Sequence, residues 1–205
     1  MNKIIKSTIA VIIMFFITGA GTFVYSQNMS FGVKAGVDFA NWGGKDGRDS
    51  NMDINPGFQI GGFVESPLSR SLELESGLYL ATKGARGEET IQNVNLKVRS
   101  TSYYLDLPVL VKYSLPTGFN LFAGPQFSYL VDNKWTWEFD GDKESEWSTE
   151  GANRFDLGMV AGTGYKFQNG FRINANYDLG LSKLGKNDNS KVYNRVVKVS
   201  VGYTF

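Results

Sequence analysis

The chain has 205 residues, enough for one domain, with 21 basic and 20 acidic residues and neither histidine nor cysteine. Without cysteine there are no disulfides and no thiolate metal sites, and a formal net charge of +1 gives no electrostatic case for nucleic acid. Glycine is abundant at 24 residues, aromatics make up 14%, and no long helical period follows residue 27, so an all-β fold is expected.

Residues 1–26 read as a secretory signal peptide. Lys3 and Lys6 give the positive start, Ile9 to Ile17 the apolar run, and Val24 and Ser26 the small-residue positions before a cut ahead of Gln27. An uncleaved anchor is the competing reading, because the apolar stretch approaches the roughly 20 residues that span a bilayer. Gly19, Gly21 and the Val-Tyr-Ser site favour cleavage. No lipidation cysteine is present. Removing Lys3 and Lys6 from the 21 basic residues leaves 19 against 20 acidic ones, and residues 27–205 form the expected barrel domain.

Eight segments of period two follow, each with an apolar face. The first, Phe31 to Asn41, carries Phe31, Val33, Ala35, Val37 and Phe39. Gly57 to Glu65 carries Phe58, Ile60 and Val64. Leu72 to Lys83 carries Leu72, Leu74, Leu78 and Leu80. Thr101 to Tyr113 carries Tyr103, Leu105, Leu107, Val109, Val111 and Tyr113. Phe119 to Asp132 carries Phe119, Leu121, Ala123, Phe127, Tyr129 and Val131. Arg154 to Phe167 carries Phe155, Leu157, Met159, Ala161, Tyr165 and Phe167. Phe171 to Lys183 carries Phe171, Ile173, Ala175, Tyr177, Leu179 and Leu181. In the last, Val197, Val199, Val201, Tyr203 and Phe205 alternate with Lys198, Ser200, Gly202 and Thr204.

The connections alternate in length. Glu65 to Ser71, Ser114 to Gly118 and Gln168 to Gly170 are short; Trp42 to Pro56, Gly84 to Ser100, Asn133 to Asn153 and Leu184 to Asn194 are long. This pattern fits an eight-stranded antiparallel up-and-down transmembrane β-barrel with short periplasmic turns and long extracellular loops. A soluble periplasmic ligand-binding barrel would share the period but point its apolar face inward.

Three features favour the membrane. Aromatics gather at two levels on the apolar face: Phe31, Tyr113, Phe119, Phe167, Phe171, Tyr203 and Phe205 below, and Phe39, Phe58, Tyr103, Tyr129 and Phe155 above. The other face is too charged for an apolar cup: Lys34, Asp38, Glu65, Glu73, Glu75, Asp106, Lys112, Asp156, Lys166, Arg172, Asp178 and Lys198 lie on it, interspersed with glycines. The segments, roughly 9 to 14 residues long, also suffice for a tilted span. Pro108 and Pro125 fall inside strands of a barrel without free edges, so a bulge or a missing ladder bond is expected there.

Ending on Phe205, the terminal strand resembles the sorting signal that outer-membrane barrels present to their assembly machinery. FGVKAGVDFAN (31 to 41), SLELESGLYLATKG (71 to 84), YYLDLPVLVKY (103 to 113), FAGPQFSYLV (122 to 131), FDLGMVAGTGYKF (155 to 167) and NYDLGLSKL (176 to 184) together resemble the PorT-like outer-membrane β-barrel family of Bacteroidota. The resemblance implies a bacterial outer-membrane location. It also implies outer-membrane lipid and, during biogenesis, the barrel assembly machinery as partners, with an envelope protein as a further partner.

No catalytic, cofactor or metal residue is expected. Barrel enzymes of the outer membrane that hydrolyse or transfer acyl groups or cleave proteins use a histidine, and this chain has none. Glu73 and Glu75 share a face and could do acid–base work, but ion pairing with Lys34, Lys112 or Arg172 is the simpler expectation. Asp140, Asp142 and Glu144 open like a calcium loop, yet Ser145 and Gly151 stand where Gly and Glu belong. Gly162-Thr163-Gly164 precedes no helix and is no dinucleotide fingerprint. Trp135, Trp137 and Trp147 form either a recognition surface or an interfacial cap. The expected function is a non-enzymatic structural or accessory role in the envelope, with a small porin-like transport module as the alternative.

Overall fold

The computed structural model of the protein describes residues 29–49, 52–91, 94–139, 142–186 and 191–205; the expected signal peptide lies outside them. The elements are β1 (Ser30–Gly43), α1 (Lys45–Asp49), β2 (Asp53–Pro67), β3 (Leu72–Ile91), β4 (Val94–Ser114), β5 (Phe119–Phe139), β6 (Asp142–Trp147), β7 (Phe155–Lys166), β8 (Phe171–Gly180) and β9 (Tyr193–Thr204). Eight strands form an antiparallel up-and-down ring in the order β1-β2-β3-β4-β5-β7-β8-β9, and β9 pairs back onto β1. β6 stands outside the ring and pairs only with the far end of β5.

Alternation sets which way each side chain points. On β1, Phe31, Val33, Val37 and Phe39 are 41–58% exposed, while Lys34 and Asp38 between them are buried. The same phase holds on β9, where Val197, Val199 and Val201 face out and Val196, Lys198 and Ser200 are buried. The apolar face therefore points outward, opposite to what a soluble binding barrel requires. Among the described residues no helix is long and apolar enough to cross a membrane; the strands provide the span.

Within each aromatic level some neighbouring rings touch. Near the short turns, Phe171 meets Tyr203 at 5.2 Å, Tyr203 meets Phe205 at 5.5 Å and Tyr165 meets Phe167 at 4.8 Å, all edge to face. At the opposite end Tyr129 meets Phe155 at 5.2 Å. The Gln168–Gly170 turn closes as expected, with Gly170 at φ 87° and its amide donating to the Phe167 carbonyl.

Two expected long loops are instead mostly strand. β3 and β4 run 20 and 21 residues and stay paired out to Ile91 and Val94, so most of the Gly84 to Ser100 connection is ladder. β5 extends to Phe139 and pairs there with Asp142 of β6, which removes much of the Asn133 to Asn153 loop. The Trp42 to Pro56 connection also shortens, because β1 continues to Gly43 and β2 starts at Asp53. Backbone hydrogen bonding continues above the apolar band, where the period-two signal is short, as at Leu96 and Val98, or shifted in phase, as at Trp135, Trp137 and Phe139.

The prolines behave as expected. Pairing between β4 and β5 lapses between Pro108↔Gln126 and Val111↔Ala123, with the register unshifted beyond the gap. On the other side it lapses between Ser76↔Val109 and Tyr79↔Asp106, where the Ser76 hydroxyl donates to the Pro108 carbonyl at 3.0 Å. Register shifts lie elsewhere. One, between β2 and β3, adjoins Gly84, whose φ of +136° and close approach to the Ser100 carbonyl leave no room for a Cβ. The other, at Val131, puts an extra residue in β5 opposite Tyr103 and Tyr104 and reverses the facing of the residues beyond it.

Candidate functional site in the barrel interior

Near the short turns, five charged side chains from five strands converge. Arg172 of β8 grips Glu65 of β2 with both terminal nitrogens, at 2.8 and 2.6 Å, and reaches Glu75 of β3 at 3.2 Å. Lys112 of β4 bridges the same two carboxylates, lying 2.5 Å from Glu65 and also donating to Glu75. Lys34 of β1 completes the group at 2.8 Å from Glu75. Arg172 also donates to the Thr204 hydroxyl, and Lys166 approaches Glu65 from the rim at 3.6 Å. The Arg172 guanidinium lies 4.4 Å over the Phe63 ring, and Lys34 sits between Phe63 and Tyr79.

A second network lies deeper. Asp106 of β4 receives Lys83 at 2.9 Å and Lys198 at 3.1 Å, and Lys198 reaches Asp178 at 2.9 Å. Asp178 also accepts from Gln126 and Asn176, and Lys83 donates to Ser128 while lying 4.4 Å over the Tyr104 ring. Asp156 accepts from Asn194 at 2.7 Å. Asp38, fully buried, has no hydrogen-bond donor on either oxygen among the described residues, although Lys198 is its cross-strand neighbour. Between the networks, Leu110, Phe122 and Val160 form an apolar cluster beside a cavity of ≈ 30 Å³, room for about two waters.

Glu75 thus meets all three of its expected basic partners. Glu73 does not join them: it sits near the mouth and accepts from the Ser114 hydroxyl at 3.3 Å, so the two glutamates form no acid–base pair. Sequence reading missed Lys83 and the inward aromatics Phe63, Tyr79, Tyr104 and Phe122. Their parity along the strands places them inside; attention to the apolar face alone passes over them.

Asp140 lies outside the described residues. Asp142 and Glu144 are exposed on β6, in an extended strand rather than a calcium-type loop. Gly162 to Gly164 are ladder residues of β7 paired with β5 and β8. The tryptophans divide between two faces. Trp135 stacks on Trp137 at 6.3 Å and meets Trp42 at 6.2 Å on the lumen side, whereas Trp147 stacks outside on Tyr103 at 5.6 Å.

Solved structures similar to this ring include two outer-membrane proteins. Neisserial surface protein A matches at 15% identity over 87% of this chain and 100% of that one, with a TM-score of 0.51. A major outer membrane protein from Thermus thermophilus matches at 14% identity over 87% and 100%, with a TM-score of 0.53. At such identity the likeness is one of fold. No curated protein matches the chain. The pattern that defines the outer membrane protein beta-barrel domain matches residues 25–185, most of the chain. With its apolar face turned to lipid and its charges enclosed, the chain belongs to the outer membrane protein beta-barrel domain family and resides in the outer membrane.

Proposed function

We propose that the protein is a non-enzymatic structural or accessory barrel of the bacterial envelope, of the PorT-like kind found in Bacteroidota. The observation that carries this is the filled lumen. Two ion-pair networks and the Leu110–Phe122–Val160 cluster occupy the space a solute or substrate would need. The full sequence holds no histidine to serve as base, and Glu65, Glu75 and Asp106 are each engaged by cations.

In this reading residues 1–26 direct export and are removed. The barrel assembly machinery recognises the terminal strand ending at Phe205. The short turns, the start of β1 and the end of β9 face the periplasm, and the raised β3–β4 and β5–β6 hairpins face outward from the cell. What remains for function is then the outer surface and a partner in the envelope.

Affinity capture of the tagged chain from native outer membrane, after mild detergent extraction, tests the accessory role. A stoichiometric envelope protein retained through washing is the expected result. Turnover of a lipid or peptide substrate by the purified barrel would overturn the non-enzymatic reading.

A further inference from the structure

We propose that the outward face of the raised hairpins binds the phosphate groups of an outer-leaflet lipid headgroup. The inference rests on the orientation proposed above. Above the apolar band, β3, β4, β5 and β6 continue as a four-stranded sheet, and register sorts its side chains into rows. Arg86 is directly opposite Arg99, Arg99 opposite Thr136, and Thr136 opposite Ser145. One row nearer the bilayer, Thr101, Lys134 and Trp147 stand side by side. These residues share the facing of Tyr103, which points outward at the upper aromatic level. Trp147 stacks on Tyr103, and the Lys134 ammonium lies 5.7 Å from the Trp147 ring.

The face holds a groove of ≈ 320 Å³ lined on the inner side by Arg86, Arg99, Lys134, Thr136 and Ser145 and further out by the row Glu88, Lys97, Glu138 and Lys143, two acids against two bases. Its outer row is self-neutralised: Glu138 receives Lys143 at 3.3 Å and Lys97 at 3.9 Å. Its inner row is not. Among the described residues no carboxylate lies within ion-pair distance of Arg86, Arg99 or Lys134, although Asp53 is the cross-strand neighbour of Arg86. Like charges directly opposite on a sheet repel. Two opposed guanidiniums beside a lysine and two hydroxyls suit a shared anion with several acceptor oxygens.

Position selects the source of that anion. Tyrosine and tryptophan rings rest at headgroup level. Arg99 lies four residues beyond Tyr103 on the same strand face, about 10 Å further along the bilayer normal for a tilted strand. The lower end of the groove, at Lys134 one row above Tyr103, lies within reach of a lipid phosphate at the surface.

The test uses residues 27–205 in phosphatidylcholine nanodiscs, titrated with diphosphorylated lipid A and with its dephosphorylated counterpart. The wild type is expected to take up the phosphorylated form selectively and to lose it as salt rises. The triple variant Arg86→Ser, Arg99→Ser, Lys134→Ser is expected to bind roughly a hundredfold more weakly, at about fivefold per cation near an anionic surface. Heat-dependent gel migration checks that it still folds; if it does not, Arg99→Ser alone serves, with a drop of about fivefold.

Equal binding by wild type and folded variant, or equal uptake of the dephosphorylated lipid, overturns the proposal. Displacement of lipid A by inorganic phosphate at matched phosphate concentration also overturns it, because the ligand would then be free phosphate. Orientation is tested separately. Glu146→Cys, a single thiol in a cysteine-free chain, should react with an impermeant maleimide on intact cells. Labelling only after lysis would refute the orientation while leaving the nanodisc result standing.

Discussion

Arg172 and Lys198 are each about 2% exposed inside a ring of strands, where an unpaired cation would lose its hydration without return. Removing a shared partner is therefore costly. Asp106→Asn takes the one carboxylate from Lys83 among the described residues, leaves Lys198 with Asp178 alone, and should destabilise the barrel by about 3–5 kcal/mol. Asp38→Asn is the informative contrast, since neither Asp38 oxygen accepts a protein hydrogen bond among the described residues. Its loss should cost no more than about 1 kcal/mol, or even stabilise, because a buried charge goes with it. Urea unfolding in lipid vesicles measures both; equal losses would mean that Asp38 is as engaged as Asp106. On the lipid face, Val199→Arg should cost about 2–4 kcal/mol near the midplane. An arginine at inward Ser200 is no mild control despite the polar lumen. Ser200 is 2% exposed, and its Cβ lies 2.7 Å from where a side chain on Gly36 would begin.

Elements differ in how much of the ring depends on them. β9 closes it: Phe205 donates its amide to the Phe31 carbonyl at 2.8 Å, yet its side chain is 77% exposed and packs little. Deleting Phe205 should thus lower outer-membrane levels in cells while the purified variant still refolds in detergent. Normal levels in cells would remove the terminal aromatic as an assembly signal. β6 is the opposite case. Every residue of it is exposed and it lies outside the ring, so replacing the β5–β6 hairpin by a short turn should leave stability within about 1 kcal/mol. The same contrast explains what could be read from the sequence. In β1, β7, β8 and β9 one face meets lipid and the other meets charge, and a period of two results directly. In residues 84–91 no lipid demands an apolar face, and Ala85 and Gly87 between Arg86 and Glu88 are too small to mark one; on β4 only Leu96 and Val98 alternate with Lys97 and Arg99. Along β5 the extra residue at Val131 reverses the phase, so Trp135 and Trp137 turn toward Trp42 instead of continuing the outer face. Ion pairing of Glu75 was legible because the charges share a face, but partner choice was not. Choosing Glu65 over Glu73 for Arg172 depends on the stagger of strands around the ring, which no single strand encodes.

At the scale of the whole molecule, closure and filling act together. A ring without a free edge has no strand from which opening can start, so the folded barrel should resist cold detergent and migrate differently on gels before and after boiling. Identical migration would count against closure. The interior decides whether the closed ring conducts. Eight strands enclose a space that side chains can fill, whereas wide aqueous channels need about 16. Here Arg172 and Lys112 tie β8 and β4 to Glu65 and Glu75 across the lower lumen, and Lys83 and Lys198 tie β3 and β9 to Asp106 higher up. Tyr79 and Phe122 take the space between, and the cavity left there, ≈ 30 Å³, is too small for a water column. Purified protein in planar bilayers should show no steady channel, and liposomes carrying it should not swell in sugar. Tyr79→Ala with Phe122→Ala removes the aromatic filling and leaves the ion pairs to hold the ring. If it retains the heat-dependent gel shift, this variant should pass small ions where the wild type does not. A large, stable conductance in the wild type would mean that the ion-pair networks part readily, and the transport reading would then replace the structural one.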